Sequence, residues 1–535
     1  MAIRLSGINS GMDTDALVKE LVSAYSLKTQ KYEKAKTKLE WKQDAWKSLN
    51  TKIYNLYKSV SNLQYSSAYN MKKTIVSDNT KATVTATGSA FTGTQSLKIN
   101  SIAQTATITS KEIIDPDKNG KEITNGTKLV DLLDLDLEND EKKEVSFNVG
   151  NTSITLTITK DTKVSDFIAK LKDDGKVNAN FDESNNRIFI AAKESGKNES
   201  FGLSALNGDE NASKLLQALG FADVNPTYGE NAKIELNGQT YTSNTNDFSI
   251  NGLNITVHGT TNEVTSSDGT SDREAISITT SVDTQGIYDK IKDFLTEYNT
   301  VINELTKLYN ADSAGSYEPL TDEEKEAMTE SEIEKWETKI KDSLLRRDSS
   351  VSSIMSVMTS VMSQSVVIGG KPVMDGDKVK TDAYGNTVYE DGTKLSLSNF
   401  GIQTLGYLNA AKNEQNAYHI SGDEDDVNTS GKTNKLMQAI QQDADQVCEF
   451  MQSLTKRLYT AVDKKMKSTS LSSAYNVYND KEMDSQLRNY KKLISEWEEK
   501  VSKKEEYYYN KFTAMETALS KIQSQTNALS GMLGM

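Results

Sequence analysis

The sequence predicts a multidomain α+β protein: a discontinuous helical coiled-coil leg, built from both chain ends, carrying nested β-rich head domains. Three observations predict it. Both ends carry apolar residues at seven-residue spacing, and the middle turns to Thr, Ser, Asn and Gly with β-branched alternation. The chain has 535 residues, enough for about three or four domains. Only 36% are hydrophobic and mean hydropathy is −0.59, which suits modules with much exposed surface.

The first element is a long helix. Val18, Tyr25, Tyr32, Leu39, Trp46, Ile53 and Val60 are each seven apart. A second row runs Leu21, Lys28, Ala35, Lys42, Leu49, Leu56 and Leu63. Offset by three and four, the rows read as the a and d positions of a coiled coil. The spacing predicts a start near Thr14, with Asp13 accepting from the free N–H groups. Lys28 and Lys42 weaken the second row, so this helix needs a partner.

The C-terminus answers with the same period. Leu487, Tyr490, Ile494, Trp497 and Val501 step by three and four. After a polar break at Lys504–Glu505, Tyr508, Phe512, Met515, Leu519, Ile522, Leu529 and Leu533 resume it. Consecutive helix residues point about 100° apart, so Tyr507, Tyr508 and Tyr509 cannot share a face and at least one should be exposed. Inner stripes run Ile287, Ile291, Phe294, Tyr298, Val301, Leu305, Leu308 and Leu436, Ile440, Val447, Met451, Leu454, Leu458. These read as core-facing helices; the outermost arms read as intermolecular seams.

Between roughly Thr74 and Val282 the text predicts strands at Thr83–Thr87, Ser96–Thr109, Val145–Thr159, Arg187–Ala192, Ile250–His258 and Ala275–Val282, parted by Gly and Asn turns. Short amphipathic helices are predicted at Val164–Leu171 and Ala212–Leu219. Gly369–Thr393 reads as a hairpin on the helical region. The expected domains are terminal arms (1–42 plus 488–535), incompletely ordered in a lone chain; a helical leg (43–73 plus 284–487) with a hairpin near 366–400; a β-rich head (74–112 plus 230–283); and an inserted α+β outer head (113–229).

Chemistry is sparse. The net charge of −14 disfavours nucleic acid, since phosphate contacts need excess Lys and Arg. No apolar run approaches the ~18 residues of a membrane span, and Met1–Asp15 has no apolar signal core, so no cleavable signal is expected. One Cys and two His preclude an intramolecular disulfide and a three-His zinc site. Asp115-x-Asp117-x-Asn119-Gly120 opens like a calcium loop, but the twelfth position, where a bidentate Glu belongs, is Gly126. No phosphate-loop or G-x-S-x-G pattern occurs. His258, His419 and Cys448 read as structural or surface residues. No catalytic residue, cofactor or metal is expected.

Leu5–Asp13 (LSGINSGMD), running into Leu17–Val22, resembles the opening of the flagellar hook-associated protein 2 family, with Ile8, Asn9 and Met12 at variable places. Ala90–Ala103 resembles that family's first head strands, and Ser146–Ser204 a module found in flagellin and hook-associated proteins. Val282–Leu305, Tyr317–Arg347, Leu395–Gln403 and the helix ending in Leu529–Met535 are similar to its C-terminal half. The resemblance implies a filament cap, exported unfolded without a cleavable signal. It implies an extracellular ring homo-oligomer at the flagellar tip that retains flagellin and promotes its folding and insertion. Further implied partners are hook–filament junction proteins and an export chaperone on the C-terminal helix. The contact residues expected on the arms are Val18, Leu21, Tyr25, Tyr32, Leu39, Trp46, Trp497, Val501, Tyr508, Phe512, Met515, Leu519, Ile522 and Leu529. An alternative is an adhesin binding mucin or glycans through the head.

Overall fold

A computed structural model describes residues 10–114, 122–138, 141–173, 177–206, 208–265 and 271–533. The calcium-loop-like turn and the start of the LSGINSGMD segment lie outside them. The chain divides into two compact units, one from Met1–Tyr69 with Thr284–Met535, the other from Asn70–Asp283.

The first unit is helical. Asp13 caps the N-terminal helix, Thr14–Leu63, its carboxylate accepting from the Ala16 amide at 3.0 Å. The C-terminal helix, Asp480–Leu533, runs antiparallel to it. Past its midpoint the N-terminal helix also packs on Ala444–Met466 and Thr284–Tyr309, burying Trp46, Leu49, Ile53, Leu56, Val60 and Leu63. Ser349–Ser363 closes this core against the same two helices, with Val351, Ile354 and Met358 buried.

Both inner stripes are buried apart from the half-buried Leu308, but the 436–458 stripe belongs to two helices. Asp443 ends Lys435–Gln442 in extended backbone, then caps Ala444–Met466 by accepting from the Gln446 amide at 2.9 Å. The stripe continues through the break because the second helix resumes on the same core. The 369–393 region is an antiparallel ribbon: Val366–Ile368 pairs with Thr393–Leu395, and Lys371–Pro372 with Tyr389–Glu390.

The second unit holds two apolar cores. One lies between a five-stranded sheet and a three-stranded one. The first sheet is ordered Lys72–Val76, Ile276–Val282, Gly93–Ser101, Ala232–Leu236, Gln239–Ser243; the second Asp247–Ile250, Leu253–Val257, Ala82–Ala86. Alternate residues face inward, among them Leu97, Ile99, Ile234, Ile255 and Ile278. The other core runs from Ala106 to Phe221. Two three-stranded sheets pack there with the helices Val164–Asp173 and Glu210–Ala218, and Phe147 and Phe167 meet at 5.4 Å.

Three predicted strands are divided. Val145–Thr159 becomes the antiparallel pair Lys143–Val149 and Thr152–Ile158. Ser96–Thr109 becomes Gly93–Ser101 in one core and Thr105–Thr109 in the other. The crossing is fixed by the Ala103 amide donating to Asn246 Oδ1 at 2.7 Å and by the Gln104–Glu230 bridge. Ile250–His258 holds a turn at Asn251–Gly252, whose φ values of 47° and 81° join two antiparallel strands.

Candidate interaction site: the paired terminal helices

The antiparallel helix pair is read most directly from its aromatics. Tyr25 meets Trp497 and Tyr32 meets Tyr490, each with centroids 6.5 Å apart. One helix advances seven residues as the other retreats seven, which is the heptad repeat seen from both sides. Further down, Gln43 Nε2 donates to Asp484 Oδ1 at 2.8 Å. Trp46 stacks on Tyr478, just before the C-terminal helix begins. In the other direction Tyr509 Oη donates to Asp15 at 2.8 Å, and Ser10 donates through its amide and hydroxyl to the buried Glu516 carboxylate.

The seam departs from the predicted a/d rows. Leu21 is 44% exposed and Lys28 is exposed, while Val22, Thr29 and Gln43 are buried. Up to Trp46 the N-terminal helix therefore uses the Val18–Trp46 row together with the row four residues after Val18, not three. Beyond Trp46 the second predicted row takes over with Leu49, Leu56 and Leu63. One step of three replaces a step of four, and such a slip rotates the apolar stripe about the helix. Lys28 and Lys42 thus do not weaken the seam: Lys42 pairs with Asp348 at 2.8 Å instead. Thr29, the partly covered Lys36 and Gln43 are its polar positions. Hydrophobicity counting misses this row because only Val22 in it is apolar.

The expected contact residues fall into three groups. Val18 and Trp46 are buried. Tyr25, Tyr32, Leu39, Trp497, Val501, Tyr508, Phe512, Met515 and Leu519 are half-buried. Leu21, Ile522 (58% exposed) and Leu529 (62% exposed) lie in the open. Leu17 and Leu27 join them on the N-terminal helix, and Tyr507 is the exposed member of the tyrosine triplet.

Cations line the pair. Lys500 sits 4.2 Å from the Trp497 ring centroid, and Lys504 5.7 Å from that of Tyr25. The helix Asp322–Glu326 adds an acidic first turn, where Lys34 reaches Glu324 at 2.7 Å and holds its carboxyl below the ordinary carboxylate range. Residues 521–530 are exposed on every side.

No reactive constellation accompanies this surface. Among the described residues no three His, Cys, Asp or Glu are grouped to hold a metal ion, and no helix is long and apolar enough to cross a membrane. His258 bonds Thr83 at 2.7 Å, and His419, in a short strand paired with Ile402–Gln403, bonds Asp426 at 2.7 Å. Burial, then the nearby carboxylates of Asp445 and Asp443, push the Cys448 thiol up to about 12.

An antiparallel helix pair that leaves leucine, isoleucine and tyrosine exposed along its outer reach is a surface for contact with another protein. The family model described as flagellar hook-associated protein 2 N-terminus matches residues 10–106, and that described as its C-terminus matches 229–524. The chain belongs to the flagellar hook-associated protein 2 family, whose members are structural cap proteins and not enzymes. It is similar to flagellar hook-associated protein 2 of Halalkalibacterium halodurans, 25% identical over 69% of this chain and 71% of that one. It is also similar to the Thermotoga maritima protein of that name, 26% identical over 73% of this chain, where the match spans 55% of the relative's length. A solved structure of the D1-D2-D3 domains of the flagellar cap protein FliD from Escherichia coli aligns with a TM-score of 0.45 at 14% identity, covering 79% of this chain and 97% of that one.

Proposed function

We propose that this chain assembles as an oligomeric plug at the distal tip of the bacterial flagellar filament, retains exported flagellin there, and promotes its folding and insertion at the growing end. The observation that carries this reading is the exposure of apolar residues along the outer reach of the helix pair: Leu17, Leu21, Leu27, Ile522 and Leu529. An exposed row of leucine and isoleucine on a helix is a seam awaiting another helix. In this reading the arms, 1–42 and 488–535, complete their apolar seam only against filament subunits or sibling caps. Completing the seam on contact keeps each attachment weak enough to release as the filament lengthens. The leg (43–73 with 284–487) holds the arms in place, and the head parts (74–112 with 230–283, and 113–229) are the remaining domains of this reading.

The partners in this reading are further copies in a ring, flagellin, the hook–filament junction proteins, and an export chaperone on the C-terminal helix. The location is extracellular. Nothing in the fold or the comparisons favours the adhesin alternative.

The test adds purified full-length chain to growing filaments and images the ends by electron microscopy. Ile522→Glu with Leu529→Glu leaves the circular dichroism spectrum unchanged, since both side chains already face solvent, and removes capped ends. Full tip occupancy by this variant would overturn the proposal.

A further inference from the structure

The last strand of the five-stranded sheet, Gln239–Ser243, follows Ala232–Leu236 through a two-residue turn at Asn237–Gly238, with φ of 51° and 81°. In such a hairpin the closing pair, here Leu236 and Gln239, is hydrogen-bonded, and alternate pairs follow it. Tyr241 and Ser243 therefore point their N–H and C=O groups at the neighbouring strand. Thr240 and Thr242 point theirs away from the sheet, along its free edge.

This edge lacks the usual protection. Gln239, Thr240, Tyr241 and Thr242 are exposed, so neither face of the strand is covered. It contains no charge and no proline, and its pairing with Ala232–Leu236 shows no bulge. The opposite edge of the same sheet, Lys72–Val76, opens with two lysines. Charges, prolines and bulges are how sheet edges avoid pairing with other chains. Their absence here leaves a flat, β-branched edge with an aromatic at its centre.

We propose that Gln239–Ser243 pairs edge to edge with the same strand of a second copy, antiparallel and two-fold symmetric about Tyr241. The segment Thr240-Tyr241-Thr242 reads the same in both directions. The two-fold sets each Thr240 against Thr242 of the second copy, and their outward groups form four backbone hydrogen bonds. Tyr241 faces its own copy in a non-hydrogen-bonded pair, with Cα atoms about 4.5 Å apart. Thr–Thr and aromatic pairs are favourable across strands. Charge agrees as well. Glu235 flanks Thr240 and Lys233 flanks Thr242, so the symmetry puts the acidic end of one edge in line with the basic end of the other. The strand's own sequence meets each requirement of self-pairing. Such a contact is isologous and closes at two copies. It is separate from the ring contact of the proposed cap and does not rest on it.

The experiment uses the full chain with Cys448→Ser. Under mild oxidation Tyr241→Cys forms a disulfide dimer, because non-hydrogen-bonded pairs bring Cα atoms within disulfide range; Thr240→Cys gives at most about a tenth of that yield. Thr242→Pro deletes an outward N–H and leaves the hairpin intact. It keeps the parent's circular dichroism and weakens self-association, read by sedimentation, by about tenfold or more. Thr240→Lys with Thr242→Lys abolishes the dimer, and Thr240→Glu with Thr242→Lys restores it. Equal cross-linking of Tyr241→Cys and Thr240→Cys overturns the proposal. So does a Thr242→Pro chain that associates like the parent, or a parent that stays monomeric while binding extended peptides at this edge.

Discussion

The indole of Trp46 and the ring of Tyr478 lie face to face, 5.0 Å between centroids and 7° from parallel. Trp46 is 1% exposed and Tyr478 6%. The stack pins the chain two residues before the C-terminal helix to the N-terminal one, and it falls where the apolar stripe changes phase. Trp46→Ala should cost about 3–5 kcal/mol, the range for removing a large buried aromatic. Trp46→Phe, which keeps a ring, should cost visibly less. Urea unfolding followed by helix signal measures both.

Thr29 sits in the seam with its hydroxyl buried and unpartnered. A buried polar group without a hydrogen bond costs about 1–3 kcal/mol. Thr29→Val keeps the β-branched shape and removes that cost. The variant should be more stable by about 1 kcal/mol, seen as a higher urea midpoint with an unchanged slope. A loss of stability would mean that the hydroxyl has found water.

The Cys448 thiol, pushed up to about 12 by burial and by Asp445 and Asp443, is almost wholly protonated near neutral pH. The thiolate is the nucleophile. Iodoacetamide at pH 8 should therefore label the folded chain far more slowly than the chain in urea, by about a hundredfold or more. Mass spectrometry at timed intervals gives both rates.

The Asp480 carboxylate opens the C-terminal helix. Burial works to raise its pKa, but Ser473, whose amide donates at 2.7 Å, and Asn476 outweigh burial and hold it below the ordinary range. A carboxylate depressed in the folded state binds fewer protons there than when unfolded, so its stabilisation is complete above the unfolded value of about 3.9. It is lost as pH falls through the folded value. Asp480→Asn should flatten the acid limb of the stability curve below the ordinary carboxylate range, about pH 4, measured by urea midpoints along that limb.

The helices were legible in the sequence because seven-residue spacing survives any choice of partner: Val18 to Val60 and Leu487 to Val501 announce themselves. The side of the N-terminal helix that meets its partner was not legible. The row that completes the seam reads Val22, Thr29, Lys36 and Gln43, and three of these four look like surface. The aromatic matches of Tyr25 with Trp497 and Tyr32 with Tyr490 carried the missing information, as equal spacings read in opposite directions. In the β region, alternation persisted from Ser96 to Thr109 although the strand changes core at Ile102–Gln104. A period of two shows that a residue is covered and not by which sheet. The break at Asp443 was not legible, because the apolar stripe continues through it.

The N-terminal helix is continuous from Thr14 to Leu63, 50 residues, or about 75 Å of unbroken backbone. Ala444–Met466 and Thr284–Tyr309 grip one end of that shaft, while the C-terminal helix runs along the other. With no joint between them, a rotation of the gripped end must reappear as a rotation at Leu17, and torque taken up at the tip must be answered in the four-helix core.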